Sequence, residues 1–283
     1  MLRLSFSTGT LYHFSLRRTF CLARDVGFQG VELVLGPEVT LRGASYVRKL
    51  SREYELPVLS VHPSMMPQPG KSKAARIIPR LVSLAEEVDC SLVVLHTPKA
   101  VTTEQARWMD FVEALVRARE HADSKVRLSL ENPGLFWESD SRYILHDIRR
   151  LRAFADRHDL PLTFDTAHAG SSAYELLEAW ALVGDRVVNV HFSDFAHRRI
   201  FPDWPPLYTL FRHHQAPGEG VLPLKEFVRT LLAAGYSGIL TLEVSPTAIG
   251  AWSPSRAREG LLRAVRFVRE LEQDAQSRAG RDA

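Results

Sequence analysis

Six apolar runs in this chain each stop on a residue that can bind a metal ion or move a proton. They read VLSVH to His62, LVVLH to His96, VRLSLE to Glu131, PLTFD to Asp165, VVNVH to His191 and ILTLE to Glu243. His168 follows Asp165 by three residues, and His214 stands four residues before the turn Gly218-Glu219-Gly220. Glu131, Asp165, His191 and Glu243 make a mixed oxygen and nitrogen donor set suited to Mn²⁺, Co²⁺, Zn²⁺ or Mg²⁺. One such residue at a strand end is ordinarily a salt-bridged rim residue, but four at equivalent positions point to a shared site. His62 and His96 read either as hydrogen-bonded rim residues or as ligands of a second ion. His168 reads as a ligand, a substrate contact or a cap of the following helix, and His214 as a further residue aimed at the same place. His213 is expected to face away. His13, His121, His146, His158 and His197 are expected to face solvent, and Lys99 to be a loop cation.

Apolar, β-branched runs of this length read as strands of a parallel sheet. Between them lie helical patterns, and the alternation repeats eight times at intervals of about 25 to 45 residues, the βα period of a closed barrel. The sequence therefore predicts an α/β fold, a single (β/α)8 TIM barrel over residues 1–283 with a polar tail from about 275. In such a barrel, strand-terminal residues converge on the C-terminal rim, where active sites lie. Expected helices include Ser15–Val26, Thr40–Tyr54, one capped by Thr102 or Thr103, Ser141–Arg157, Ala173–Val183 and Ser255–Gln273. The stretch from Phe192 to Pro217 is predicted as a long loop carrying Phe195, Phe201, Trp204, Tyr208 and Phe211 among Arg198, Arg199 and Arg212. Loops beyond about 15 residues are usually functional, so Trp204, Tyr208 and Phe211 are read as a lid, with Phe136 and Trp137 as the opposite wall.

The 283 residues fit one such barrel, and 45% hydrophobic with 24% charged residues is ordinary for a globular chain. A net charge of +3 does not by itself argue for a polyanionic partner. Cys21 and Cys90, the only cysteines, read as small buried residues of a reducing compartment. No apolar run approaches a membrane span and the start does not read as a signal peptide, so a cytoplasmic location is expected. There is no phosphate-loop motif, no G-x-S-x-G elbow and no strand-end lysine for a Schiff base.

In this order, the motifs resemble the xylose isomerase-like barrel superfamily, which includes sugar isomerases, ketose 3-epimerases and endonuclease IV-type abasic-site nucleases (AP endonuclease family 2). The resemblance runs from Gly27-Phe28-Gln29-Gly30-Val31-Glu32-Leu33 to Gly235-Tyr236-Ser237-Gly238 and Leu242-Glu243. It implies a divalent metal held by Glu131, Asp165, His191 and Glu243, with Glu131 and Glu243 relaying protons and His168 touching substrate. Arg198 stands about one residue from the place of a family arginine. In the nuclease branch the set would extend to His62, His96, His168 and His214, but Arg212 occupies that branch's aspartate position. The expectation is a metal-dependent isomerase or epimerase of a sugar, sugar phosphate or related hydroxy-carbonyl compound. The alternative is a phosphodiester hydrolase with two or three zinc ions. A small carbohydrate-like substrate is the expected partner. The scattered arginines and aromatic loop argue against a nucleic acid, and the outer helices could support a homo-oligomer.

Overall fold

The computed structural model describes residues 1–64, 74–120, 125–197, 204 and 207–279. Eight parallel strands close into a barrel in chain order: β1 (Arg3–Ser7), β2 (Gly30–Val34), β3 (Val58–His62), β4 (Leu92–Leu95), β5 (Arg127–Glu131), β6 (Leu162–Asp165), β7 (Val187–Phe192) and β8 (Ile239–Leu242). Pairing of β1 with β8 completes the ring. Around it run α1 (Leu16–Val26), α2 (Pro37–Glu53), α3 (Ala74–Glu87), α4 (Ala106–Glu120), α5 (Ile148–Arg157), α6 (Thr166–Gly170), α7 (Leu176–Val183), α8 (Tyr208–Phe211), α9 (Leu224–Ala233) and α10 (Pro254–Ala279). The TIM barrel read from the sequence is thus the fold.

Helix boundaries follow from capping chemistry. The Ser15 hydroxyl accepts from the Arg18 N–H to open α1, and Gly27 closes it in the left-handed conformation that glycine adopts without penalty. On α1, Leu16, Phe20, Ala23 and Val26 recur at helical spacing and pack into the core between helices and barrel.

Several boundaries differ from expectation. The helix assigned to a Thr102 or Thr103 cap begins only at Ala106, after a turn. The helix expected from Ser141 is two short 3-10 turns followed by α5, because the Asp147 carboxylate accepts from the N–H groups of Arg149 and Arg150 and starts the helix there. The single helix expected over Ala173–Val183 is α7, preceded by the one-turn α6, which begins directly at Asp165. α10 continues to Ala279, six residues beyond the expected end, so the polar tail is helical for part of its length.

The strands are not uniformly apolar inside. Ser60, Ser129, Thr163, Asn189 and Thr241, each two residues before a candidate site residue, are essentially inaccessible. Because strand side chains alternate with period two, these residues and the site residues face the same side, the barrel interior. They form a hydrogen-bonded layer under the rim: Ser129 Oγ lies 2.7 Å from Thr163 Oγ1, and Thr241 donates to Asn189 Oδ1 at 2.8 Å. Cys90 is buried as expected, but Cys21 sits half-buried on the flank of α1.

Candidate metal centre

β5 to β8 deliver Glu131, Asp165, His191 and Glu243 to the same point of the rim, all less than 6% exposed. One potential ligand atom from each lies within 4.8 Å of the others. His191 is the pivot. Its Nε2 lies 3.0 Å from Glu32 Oε2, so it donates its proton to that carboxylate. Its Nδ1 then faces Glu243 Oε2 at 2.8 Å, Glu131 Oε1 at 3.0 Å and Asp165 Oδ2 at 3.9 Å.

An unprotonated Nδ1 surrounded by three carboxylate oxygens is repulsive unless a cation stands among them. Glu131 Oε2, Asp165 Oδ2 and Glu243 Oε2 are also buried and accept no hydrogen bond from the described residues. Buried carboxylate oxygens without a donor are costly, and a divalent ion is the group that satisfies several at once. The donor set therefore fits a divalent metal. In the metal-free arrangement a proton takes that role. Burial opposes charge on His191, yet Glu32, Glu243 and Glu131 raise its pKa well above the ordinary value. Burial likewise works against ionised Glu131 and Glu243, but the charge of His191 and its contacts hold both carboxyls below their usual range.

The supporting contacts fix each ligand. Asp165 splits its oxygens: Oδ1 accepts from the His168 N–H at 2.7 Å to cap α6, leaving Oδ2 for the centre. Asp165 rather than His168 is thus the cap of the following helix. Asn132, directly after Glu131, accepts from the Asp165 N–H at 2.7 Å and donates back to the Asp165 carbonyl at 3.1 Å, fastening β5 to β6. His168 donates Nδ1–H to the Asn132 carbonyl at 2.9 Å, leaving its Nε2 lone pair free for a ligand or substrate. Position 134 must be glycine for this, since a Cβ there would meet the His168 ring at 2.6 Å.

Two further clusters flank the four-residue set. His62 donates Nδ1–H to the Pro63 carbonyl at 2.8 Å, so its Nε2 turns inward. That atom lies 3.2 Å from His96 Nε2, and the two stand 3.7 and 3.3 Å from Glu131 Oε2. Burial disfavours charge on His62, but Glu131, Glu32 and Glu243 raise its pKa to about 9. On the other side His214 Nδ1 lies 3.8 Å from Asp165 Oδ2 and 3.3 Å from Ser193 Oγ. His214 has a positive φ of 54°, unusual for a non-glycine residue. The turn holding it there is tied by Asp194, whose buried carboxylate accepts from the N–H groups of Phe195, Gly218, Gly220 and Leu222. Arg212, at the position where the nuclease branch has an aspartate, stacks on Tyr208 instead, 4.0 Å from the ring centroid.

The structure brings together every strand-end residue read from the sequence. It also corrects the reading of His213, which is 1% exposed rather than facing away. Its ring packs 4.4 Å from Phe136 and 5.0 Å from Phe195. His146 and His158 are half-buried instead of solvent-facing, while His13 and His197 are exposed as expected. Phe136 packs edge-on to His168. Trp137 and Trp204 are about half exposed, at 49% and 54%. Tyr208 and Phe211 lie on α8 and are part-buried. His121, Arg198, Arg199 and Phe201 lie outside the described residues.

Sequence reading missed Glu32 and Asp194. Glu32 lies within β2 rather than at its end, fully buried, and also accepts from Ser60 Oγ at 2.8 Å. Its signal was the charge itself, a glutamate inside the apolar run GVELV.

Residues 20–271 match the model of the xylose isomerase-like TIM barrel family. The chain belongs to that family. An uncharacterized protein of Mycobacterium tuberculosis is 27% identical over 95% of this chain and 97% of its own length. Fructoselysine 3-epimerase of Escherichia coli O157:H7 is 20% identical over 81% of this chain and 85% of its own. The crystal structure of D-allulose 3-epimerase from Methylomonas sp. in complex with D-allulose superposes with a TM-score of 0.69 at 16% identity, covering 95% of this chain and 96% of that one. At that identity the superposition speaks to the fold.

Proposed function

We propose that this chain is a divalent-metal-dependent isomerase or epimerase of a sugar or related hydroxy-carbonyl compound. The observation that carries the reading is His191 Nδ1 among three carboxylates, with Glu131 and Glu243 both at the ion's place. When bound, a divalent ion polarises a carbonyl and its neighbouring hydroxyl and so acidifies the C–H between them. Glu131 and Glu243, whose carboxyls are held below their usual range, would be the pair that removes that proton and returns it. His168, with its free Nε2 lone pair, accepts from a substrate hydroxyl. Phe136 and the segment bearing Trp204, Tyr208 and Phe211 limit water access to the transferred proton. The two epimerases among its relatives are consistent with this class. Mn²⁺, Co²⁺, Zn²⁺ and Mg²⁺ all suit the donor set. The test is hydrogen exchange between solvent D₂O and a panel of ketoses by the metal-loaded protein. Exchange that disappears in Glu243→Gln supports the proton relay, and undiminished exchange there and in Glu131→Gln contradicts it.

One observation favours a second reading. His62 and His96 turn their Nε2 atoms toward Glu131, as ligands of a neighbouring ion bridged by that carboxylate would. A two-metal centre of that kind suits phosphodiester hydrolysis. Chelator-sensitive nicking of an abasic duplex, lost in His62→Ala and His96→Ala, would establish it over the isomerase.

A further inference from the structure

The metal-centre residues account for one side of the barrel mouth. On the side of β1, β2 and β8 a cleft of about 250 Å³ opens beside Glu243 and His214. Its walls are Tyr12, Leu35, Leu210, Val244 and Pro246, and no lysine or arginine lines it among the described residues. Two of the wall's hydroxyls, those of Thr10 and Ser245, are already engaged. Thr10 Oγ1 accepts from the Val244 N–H at 3.2 Å, and Ser245 Oγ donates to the Leu210 carbonyl at 3.1 Å while meeting Thr247 Oγ1 at 2.8 Å.

The cleft also lies at the N-terminus of α2, where an anion could in principle bind. That end is unsuited to one. Its first residue is Pro37, which has no N–H, and Glu38 places a carboxylate in the same turn, accepting from the Leu16 N–H at 2.7 Å.

We propose that this cleft takes an alkyl or aryl group attached beside the reacting hydroxy-carbonyl unit. The substrate is then a hydroxy-carbonyl compound with an apolar tail rather than a polyhydroxylated or phosphorylated one. The proposal rests on the isomerase reading for the reacting end only. A polyol chain in this cleft would give up water for walls with few free partners, and each unpaired hydroxyl weakens binding. A phosphate would meet no lysine or arginine among the described residues and would face the Glu243 carboxylate. The volume suits a ring with a short linker, given that a cavity of about 150 Å³ suffices for benzene.

Isothermal titration of the metal-loaded protein with three probes tests this: a phenyl-tailed hydroxyacetone, D-fructose and D-fructose phosphate. The phenyl probe should bind roughly ten- to a hundredfold more tightly than either sugar. Gly36→Phe should erase that preference with metal content unchanged, since a Cβ at Gly36 meets only the Val34 carbonyl, at 3.8 Å. Tyr12, 62% exposed, gives a second variant with little bearing on folding, and Tyr12→Ala should weaken the phenyl probe several-fold. Equal or tighter binding of either sugar, or a phenyl preference untouched by both substitutions, would overturn the proposal. Solvent-deuterium exchange read on the same samples separates the two claims. Tight phenyl binding without exchange upholds the cleft and sinks the isomerase reading, and exchange of D-fructose alone does the reverse.

Discussion

The two halves of the rim differ in how firmly their imidazoles are held. On the β5–β8 side, His191 is clamped from below by Glu32, and Asp165 is clamped by Asn132 and by α6. Every ligand there is buried. On the β3–β4 side, His62 is oriented by the Pro63 carbonyl, but the His96 side chain is 50% exposed and meets the cluster only through Nε2. Metal ligands whose far atoms are hydrogen-bonded bind more tightly and in one geometry. On the proposed reading, the difference favours one preorganised ion site at Glu131, Asp165, His191 and Glu243, with the histidine pair beside it as a weaker annex.

The largest effect should follow from removing one of the proposed proton carriers on the firm side. Glu131→Gln or Glu243→Gln should reduce solvent-hydrogen exchange of a turned-over ketose by about 10²- to 10⁴-fold, measured by NMR, with the circular dichroism of the fold unchanged. Next comes the clamp. Glu32→Gln can offer its amide N–H to His191 Nε2 and drive the proton to Nδ1, the wrong tautomer for a ligand, so metal affinity should fall roughly ten- to a hundredfold in a chelator competition. A change below twofold would mean that Glu32 does not position His191.

Asp194→Ala leaves four N–H groups of the His214 turn without their acceptor, and should cost about 3 kcal/mol of unfolding free energy in urea. The pH response is gentler. The pKa of His62 in the folded metal-free protein, about 9, lies above its ordinary 6.5. The stability it contributes is complete below pH 6.5 and lost as pH rises through 9, so the metal-free Tm should fall across that window. Metal affinity should rise over the same window, because ligand imidazoles must shed their protons. A metal-free Tm that climbs from pH 6.5 to 9 would contradict the assignment.

The convergence of Glu131, Asp165, His191 and Glu243 was legible in the sequence because each stands at a strand end, and a barrel sends all strand ends to one rim. Ser60, Ser129, Thr163, Asn189 and Thr241, two positions before the strand-end residues, went unread, although their spacing marks the inward face of each strand. Glu32 was not legible as a clamp. Its partner His191 is 159 residues away in the chain, and only closure of the barrel sets β2 across from β7. His213 was misread because its burial comes from Phe136 and Phe195, which are 77 and 18 residues away in the chain and meet its ring only in the folded barrel. Asp147 outcompeted Ser141 as a helix start because its carboxylate caps two N–H groups at once.

The most direct test of the rim's asymmetry is the divalent metal bound per chain, by elemental analysis, in protein purified without chelator and carrying either His191→Ala or His96→Ala. If the β5–β8 set is the preorganised site, His96→Ala keeps about one ion per chain and His191→Ala keeps almost none. Retention of metal by His191→Ala together with its loss from His96→Ala would place the primary ion at the histidine pair and contradict the account.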